Sequence, residues 1–443
     1  IEETMRRFIT FPISDAMYSF MPSRPFNEQL YAQFWPISTE TGAPGVFLNQ
    51  CSGAKMAPTA LLTHVKQPML KRRSREIASE GVIKAQEWIG GQDKPVVESK
   101  ILAFQNALNT CTSRQELDSV LAENIRPCSF RPFVNSNALL WGTIFDYQAG
   151  IGGGGARVRP EIKAVYDLPD TVGFSLAHAP KDLDESLGQF TSFCWYFPDN
   201  DLSRRGNGHI YLNHYIRDVH TNAVINNIHQ SLIERYSALT GLDDSECAKK
   251  MVFYSYAVFC SQVYLEEFYG ALFVVNQSES RARIPIVDDA GLFLRLAELG
   301  ERLAILEKND AAVDNVLDFN YDELLAQMWT GFHLEHSRSA SRSPYDEENE
   351  QLIVRDEVTG NSIRIYCPVS LQKFTIAGYN VIKDCWLKFH SYRFTHCDFT
   401  RDDLKELLDL FNKIASQMGI VSEIDEIMHS IVGGEVALLN YND

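Results

Sequence analysis

The longest part of this chain without an acidic residue carries six cationic side chains. No Asp or Glu occurs between Glu40 and Glu76, and Ser, Thr, Asn and Gln are frequent there. The cations of this stretch are Lys55, Lys66, Lys71, Arg72, Arg73 and Arg75. Cations without competing carboxylates suit phosphate contacts, and the polar side chains around them can hydrogen-bond to base edges. A solvated basic loop is the alternative interpretation.

Further candidates for base contact are arginines and asparagines in predicted turns and loops. An Arg can donate two hydrogen bonds to guanine, and an Asn can pair with the edge of adenine. The candidates of this kind are Arg24, Arg131, Asn135, Asn137, Arg157, Arg159, Arg204 and Arg205. An Arg before Pro-Phe can equally be buried, and Asn is common in turns. Both interpretations stay open.

Motifs that would indicate catalysis or a metal site are weak. Residues 150–155 have the glycine spacing of a dinucleotide site, but no helix pattern follows directly, so we interpret them as a flexible loop. No P-loop motif is present. Asp146, Glu161 and Lys163 only faintly resemble the pattern of a metal-dependent nuclease. We therefore predict no catalytic residue and no metal ligand.

The net charge of −17 is opposite in sign to that of most nucleic-acid-binding proteins. Its distribution along the chain is uneven. Residues 1–222 hold 22 Lys and Arg against 23 Asp and Glu, whereas the remainder holds 19 against 35. We therefore expect any DNA-facing surface in the first half, and expect the acidic half to face solvent or other modules.

The composition bounds the class and compartment of the protein. No apolar run reaches the roughly 18 residues that a membrane span needs, so we expect no membrane partner. The nine cysteines are scattered, without a Cys-x-x-Cys pair. We therefore predict free thiols in a reducing cytoplasm. The chain begins at Ile1 in mid-pattern, and we interpret it as a piece of a longer polypeptide.

The apolar patterns predict a β-rich first half with helical insertions, followed by a helix-dominated second half with a small hairpin and a terminal helix. Asp288 or Asp289 is expected to cap one helix, and Thr400 with Asp403 has the spacing of a capping box. The stripe of the last helix includes Met418. We predict subdomains at 1–219, 220–336 and 351–443, with a linker at 337–350.

Several short motifs appear in an order that resembles a known family. Ser261-Gln262-Val263-Tyr264 precedes Arg283-Ile284-Pro285 and a Leu-Ala-Glu-Leu-Gly run at 296–300. Arg-Pro-Phe occurs at 24–26 and 131–133, and 378–388 is a Gly-Tyr to Trp-Leu-Lys segment. This order resembles the C-terminal specificity region of type ISP single-chain restriction-modification enzymes. The chain departs from the family's Tyr-Arg-Pro-Phe-Asp element, since neither copy has its Tyr or Asp.

The resemblance implies an α+β target-recognition region whose β-rich half presents basic loops to the major groove of double-stranded DNA. The helical half would then support it and dock onto a methyltransferase module of the same polypeptide. The region itself would be non-catalytic. The parent would be a DNA adenine-N6 methyltransferase and restriction enzyme, with S-adenosylmethionine, ATP and magnesium bound by modules absent from this chain.

Two alternatives come from other functional classes. The first is an acidic protein-interaction or regulatory domain without DNA contact, which the net charge of −17 favours. The second is a cryptic metal-dependent nuclease that uses Asp146, Glu161 and Lys163. Duplex binding separates the first from DNA recognition, and magnesium-dependent cleavage identifies the second.

Overall fold

The protein is a mixture of helices and small, mostly antiparallel sheets. The computed structural model describes residues 26–39, 44–50, 53, 56, 59–89, 98–141, 168, 170–177, 189–199, 201–202, 209–218, 221–272, 282–308, 311–312, 314–336 and 343–441. Of these residues, 49% are helical and 19% lie in strands. The α+β class predicted from the sequence is therefore confirmed.

Helices occur in both halves of the chain, and the longest is the last. The α-helices are α1 (Glu28–Tyr31), α2 (Thr59–Leu62), α3 (Gln67–Glu80), α4 (Val82–Ile89), α5 (Glu98–Leu108), α6 (Arg114–Asn124), α7 (Gln230–Thr240), α8 (Asp244–Cys260), α9 (Gln262–Leu272), α10 (Ala290–Leu306), α11 (Tyr321–Ala326), α12 (Val369–Gln372), α13 (Lys388–His390), α14 (Tyr392–Thr395) and α15 (Arg401–Val432). A π-helical segment, Val381–Leu387, leads into α13.

The strands are short and belong to several sheets. They are β1 (Trp35–Pro36), β2 (Thr63–His64), β3 (Ile125–Arg131), β4 (Val134–Leu139), β5 (Gly173–Ala177), β6 (Thr191–Cys194), β7 (Phe197–Pro198), β8 (His209–Asn213), β9 (Tyr215–Arg217), β10 (Val224–Asn226), β11 (Arg283–Ile284), β12 (Tyr345–Asp346), β13 (Gln351–Arg355), β14 (Ser362–Tyr366), β15 (Thr375–Ile376) and β16 (Tyr379–Asn380). The larger sheets have the orders β2-β4-β3-β7, β6-β5-β8 and β12-β13-β14. The remaining strands pair as β1-β11, β9-β10 and β15-β16.

Helices α8 and α10 form the centre of the core. Every residue of α8 from Met251 to Cys260 is buried, so this helix is surrounded by protein on all sides along that stretch. Helix α10 approaches it closely at Gly300, where a Cβ atom would lie 1.9 Å from the carbonyl oxygen of Phe253. Only glycine leaves room for this approach. The Leu-Ala-Glu-Leu-Gly motif is therefore a helix-packing motif.

One continuous hydrophobic cluster connects the parts of the chain. It begins with Leu30 near the first described helix, includes the central helices and extends to Ile431 in α15. The cluster contains residues from each of the ranges predicted as subdomains. The predicted division of the chain stays a prediction, but the described parts share buried apolar surface, which is the main source of folding free energy.

Local capping signals in the sequence correspond to the helix starts. Asp289, rather than Asp288, caps α10 by accepting a hydrogen bond from the amide of Leu292. Thr400 and Asp403 form the capping box of α15. Met418 was predicted within the buried stripe of α15 but is 36% exposed. The stripe passes through Gln417 instead, because a helix of 3.6 residues per turn gradually rotates its buried face.

The hairpin after the predicted linker is present as β13 and β14, with the turn at Thr359-Gly360 outside both strands. Residues 343–350 of the predicted linker belong to the fold, because β12 adds to the hairpin as a third strand through Tyr345 and Asp346. Residues 337–342 lie outside the described part. Pairing with β13, only a few residues further along the chain, holds this polar segment in the sheet.

Replacing Gly300 with Ala tests the central helix contact. The new methyl group would overlap the Phe253 carbonyl oxygen, so the helices must move apart. We expect Gly300→Ala to lower the free energy of unfolding by about 2–4 kcal/mol, measured by urea denaturation.

Gly419→Ala is the matched control, because Gly419 also lies within a helix but nothing is within 4 Å of its added Cβ. It should leave stability unchanged or raise it by about 0.5–1 kcal/mol. Equal effects at both positions would contradict the proposed role of Gly300.

Candidate nucleic-acid interface

The basic stretch continues into α3, whose cations lie on two different faces. The positions of α3 that are buried are Leu70, Arg73, Ser74 and Ile77. Their spacing of three and four residues places them on one helical face toward the core. Arg72 is exposed, and Lys71 and Arg75 are half-buried at the edges of this face. The spacing of the buried residues in α3 therefore leaves Lys71, Arg72 and Arg75 accessible to solvent.

Two arginines of α3 form ion pairs at the surface. Arg72 Nε donates to Glu76 Oε1 at 2.7 Å, and Arg75 Nε donates to Asp118 Oδ1 at 2.5 Å. Their side chains are 62% and 35% exposed, respectively. Such pairs contribute only about 0.2–1 kcal/mol, so a phosphate can replace the carboxylate. Lys71 has no ion-pair partner among the described residues.

Arg131 is buried inside the protein and belongs to a charged network. Its Nη1 lies 3.2 Å from Asp199 Oδ1, and its Nη2 lies 3.7 Å from Asp201 Oδ2. Burial lowers the pKa of Arg131, but the neighbouring carboxylates, above all Asp199, outweigh burial and raise it above its usual value. Arg131 therefore remains charged and holds together the segments that carry these groups.

Aromatic rings enclose the Arg131 guanidinium. Its Cζ lies 4.1 Å from the ring centre of Phe130, 5.3 Å from that of Phe389 and 5.7 Å from that of Tyr379. Cation–π contacts of this kind stabilise a desolvated cation. The contact with Tyr379 joins the second Arg-Pro-Phe element to the Gly-Tyr element near the end of the chain. Two motifs that identify the family resemblance thus meet in one structural contact.

The two predicted asparagines are also bound to protein. Asn137 Nδ2 donates to the carbonyl oxygens of His64 at 3.2 Å and Val65 at 3.0 Å, which fixes β4 beside β2. Asn135 Nδ2 donates to the carbonyl oxygen of Glu307 at 3.0 Å. For these residues the geometry supports the structural interpretation that the sequence left open, as it does for Arg131. Arg73, which was expected either to contact phosphate or to lie in a solvated loop, is buried.

The motifs at 261–264 and 283–285, which carry the family resemblance, also hold elements of the fold together. Ser261 Oγ donates to Asp425 Oδ1 at 2.6 Å, which joins the start of α9 to α15. Arg283 Nη1 donates to the carbonyl oxygen of Phe34 at 2.8 Å, beside the pairing of β1 with β11. These motifs therefore connect separate parts of the fold.

The remaining predicted contacts fall on residues that the structure does not describe. They are Arg24, Lys55, Arg157, Arg159, Arg204 and Arg205, together with Asp146, Glu161 and Lys163 of the nuclease alternative. Each stays a prediction.

The β9-β10 hairpin is an exposed element that was not predicted from the sequence. Val224 and Ile225 are 38% and 41% exposed, and Arg217 Nη1 donates across the hairpin to the carbonyl oxygen of Asn222 at 2.8 Å. A two-stranded ribbon has a width that the DNA major groove can admit. The signal in the sequence was the Thr221-Asn222 turn between two short β-branched runs.

Glu307 is a buried carboxyl group at the end of α10, and it too was not predicted from the sequence. Ser192 Oγ donates to Glu307 Oε2 at 2.7 Å, the amide of Phe193 donates to Oε1 at 3.0 Å, and the Tyr256 hydroxyl donates to Oε1 as well. Burial raises the pKa of Glu307 to about 7, although these hydrogen bonds oppose the shift. Glu307 therefore connects β6, α8 and α10.

Within the described ranges, no group of three His, Cys, Asp or Glu side chains is arranged to hold a metal ion. In the same ranges, no helix is both long and apolar enough to cross a membrane.

A family model for the type ISP C-terminal specificity domain matches residues 46–415. This chain belongs to that family. The match includes α3, the Arg131 network and the α8–α10 pair, so the resemblance noted from short motifs is confirmed over most of the chain. No curated protein matches the chain.

Solved structures share the fold. The ATP-dependent type ISP restriction-modification enzyme LlaBIII bound to DNA matches with a TM-score of 0.54 and 14% identity, over 90% of this chain and 24% of that one. A DrdV–DNA complex matches with a TM-score of 0.51 and 15% identity, over 93% of this chain and 39% of that one. The chain thus spans well under half the length of these proteins, and at this identity the likeness establishes the fold alone.

Truncating Arg131 tests its structural role. Arg131→Ala removes the positive charge that lies 3.2 Å from the buried Asp199 carboxylate. We expect the free energy of unfolding to fall by about 3–5 kcal/mol in urea titrations. The double variant Arg131→Ala/Asp199→Ala should recover part of this loss. Unchanged stability in the single variant would show that the network is dispensable.

The buried carboxyl group of Glu307 predicts a pH dependence of stability. Its folded-state pKa of about 7 exceeds the ordinary value of 4.5, so the folded chain keeps a proton that the unfolded chain releases between these values. Its stabilising contribution is full below pH 4.5 and is lost as pH rises through 7. The loss amounts to about 3 kcal/mol.

Glu307→Gln removes the titrating group while keeping an acceptor. We expect the stability difference, wild type minus variant, to fall between pH 4.5 and about 7 in urea denaturation series. A difference that does not change with pH would mean that Glu307 has an ordinary pKa.

Proposed function

We propose that this chain recognises a target sequence in double-stranded DNA for a larger restriction-modification polypeptide and performs no catalysis itself. Membership of the type ISP specificity domain family supports the proposal. So does the fold shared with LlaBIII and DrdV, both of which are in complex with DNA in those structures. In this chain, the main support for the proposal is that α3 exposes cations of the acid-free stretch to solvent.

The outer side of α3 supplies phosphate contacts. Lys71 has no carboxylate partner among the described residues, and the weak pairs of Arg72 and Arg75 can exchange a carboxylate for a phosphate oxygen. Such contacts fix the position of the protein on the duplex without reading its sequence.

Base edges are read by side chains in other segments. The proposed readers are Arg24, Arg157, Arg159, Arg204 and Arg205, with Lys55 as a further phosphate contact. We leave Arg131, Asn135 and Asn137 out of the proposed readers and Arg73 out of the phosphate contacts, because the protein itself surrounds or binds their polar groups.

Methylation of adenine and DNA cleavage belong to other modules of the parent. We propose that a methyltransferase module of the same polypeptide is the direct protein partner, and that S-adenosylmethionine, ATP and magnesium bind outside this chain. The acidic second half provides surface for such modules or for solvent. We place the parent in the cytoplasm, where DNA is accessible and free cysteines stay reduced.

A duplex band-shift titration tests the α3 contacts. The triple variant Lys71→Ala/Arg72→Ala/Arg75→Ala removes three solvent-accessible cations. We expect weaker binding and a smaller dependence of log affinity on log salt, with the slope reduced by about 3. The measurement is the dissociation constant at several salt concentrations for the same duplex.

Arg295→Ala/Arg302→Ala/Lys405→Ala is the charge-matched control, because these exposed cations lie on α10 and α15. It should bind as the wild type does. Equal loss in both triple variants would mean that net charge, not α3, governs binding. Absence of binding by the wild type would instead favour the acidic interaction domain, and magnesium-dependent cleavage would favour the nuclease.

A further inference from the structure

Glu76 lies at the centre of a cluster of charged and aromatic side chains between α3 and α4. Its Oε1 accepts a hydrogen bond from Arg72 Nε at 2.7 Å, and its Oε2 accepts one from Trp88 Nε1 at 3.0 Å. Lys84 Nζ lies 3.7 Å from the same Oε2. The Glu76 side chain is only 20% exposed. One carboxylate thus joins an exposed cation to a buried indole.

The indole of Trp88 fixes the inner end of this cluster. Trp88 is buried, and the ring of His396 packs edge-to-face against it with 4.8 Å between the ring centres. His396 Nε2 also donates to the Trp88 carbonyl oxygen at 3.3 Å. Because these contacts hold Trp88, its Nε1 keeps the Glu76 carboxylate in one orientation. Glu76 is therefore a fixed acceptor rather than a mobile surface group.

Glu76 remains ionised although it is partly buried. Burial tends to raise the pKa of Glu76, but the hydrogen bonds from Arg72 and Trp88 outweigh it, so the pKa lies below its ordinary value. At neutral pH the carboxylate therefore holds Arg72 through a hydrogen bond between two charged groups. Such hydrogen bonds are roughly twice as strong as those between neutral groups.

The outer end of the cluster is the guanidinium of Arg72. The side chain is 62% exposed. Glu76 uses its Nε, whereas its two Nη groups form no hydrogen bond with the described residues. Two N–H donors of one guanidinium can bind the oxygens of one phosphate in parallel. Exchange of the carboxylate is one route to a phosphate contact, and Arg72 has a second route in which its pair with Glu76 stays closed.

Lys84 has a different part in the cluster. Its Nζ donates to Glu87 Oε2 at 2.8 Å, and its side chain is 25% exposed. Carboxylates therefore occupy Lys84 on two sides, which makes it less available to a phosphate than Arg72. Its positive charge beside Glu76 offsets part of the repulsion between that carboxylate and DNA.

We propose that Glu76 is a positioning residue for the DNA contact of α3. Tied to Trp88, it holds Arg72 so that both Nη groups bind one phosphate of the duplex. This inference rests on the proposed DNA-binding function and adds a residue of opposite charge to the same site. Holding the arginine before binding removes the entropy that a mobile side chain would lose at the phosphate. An acidic residue then favours binding to a polyanion.

Glu76→Gln separates positioning from net charge, because the two predict opposite changes. An amide has one acceptor oxygen and one NH2 group, so it cannot accept from both Arg72 and Trp88. Loss of a negative charge near DNA would by itself tighten binding. We expect Glu76→Gln instead to weaken binding by about 2- to 10-fold. The slope of log affinity against log salt should decrease by up to about 1.

The measurement is the Kd of the full chain at several salt concentrations. A duplex of arbitrary sequence serves as the probe, because phosphate contacts do not depend on sequence. Glu80→Gln is the matched control, since Glu80 is exposed one turn further along α3 and forms no hydrogen bond or ion pair with the described residues. It should bind as tightly as the wild type or more tightly, with an unchanged slope.

A double-mutant cycle shows whether Glu76 acts through Arg72. In the Arg72→Ala background no arginine is left to release, so adding Glu76→Gln should leave binding unchanged or tighten it. A weakening that persists in that background would overturn the proposal, because Glu76 would then act on another group or on folding.

The wild type distinguishes this inference from the function on which it rests. If the wild type does not bind duplex DNA, the proposed function is wrong and the inference with it. If the wild type binds and Glu76→Gln binds at least as tightly, the inference alone is overturned.

Discussion

The close contact of α8 with α10 is the constraint on which the rest of the structure depends. Helix α8 is buried on all sides from Met251 onward, so other elements must pack against every face of it. Gly300 lets α10 approach its backbone, and Glu307 at the end of α10 binds β6 through Ser192 and Phe193. Helix α15 also packs against both α8 and α10. A wider helix separation would disturb all of these contacts together.

Ionisable groups in this protein have two distinct physical roles. Arg131 and Glu307 are buried and satisfied by partners far apart in the chain, so they connect segments that the hydrophobic effect alone would not orient. Arg72 and Arg75 are paired at the surface, where water and salt screen the interaction and a competing anion can displace the carboxylate. An acidic protein can therefore still present a cationic helix, since the second role depends on local exposure rather than on net charge.

The motifs that identify the family are mainly packing motifs. Gly300 permits a helix contact, Arg283 ties a loop to Phe34, and Arg131 is enclosed by aromatic rings. Such positions constrain the fold and carry no base-specific chemistry. Family resemblance therefore identified the architecture well, whereas the residues that we propose as base readers lie outside the described part of the chain.

The sequence by itself determined the features that depend on neighbours within one helical turn or hairpin. The caps at Asp289 and Thr400 and the β13-β14 pair are local hydrogen-bond patterns and were found from spacing alone. Tertiary structure decided which of two adjacent arginines, Arg72 or Arg73, enters the core, because that depends on how α3 rotates against β2. It likewise decided the partners of Arg131 and Glu307, which lie tens to hundreds of residues away. Burial is set by the three-dimensional neighbours, and a one-dimensional pattern of charge does not contain them.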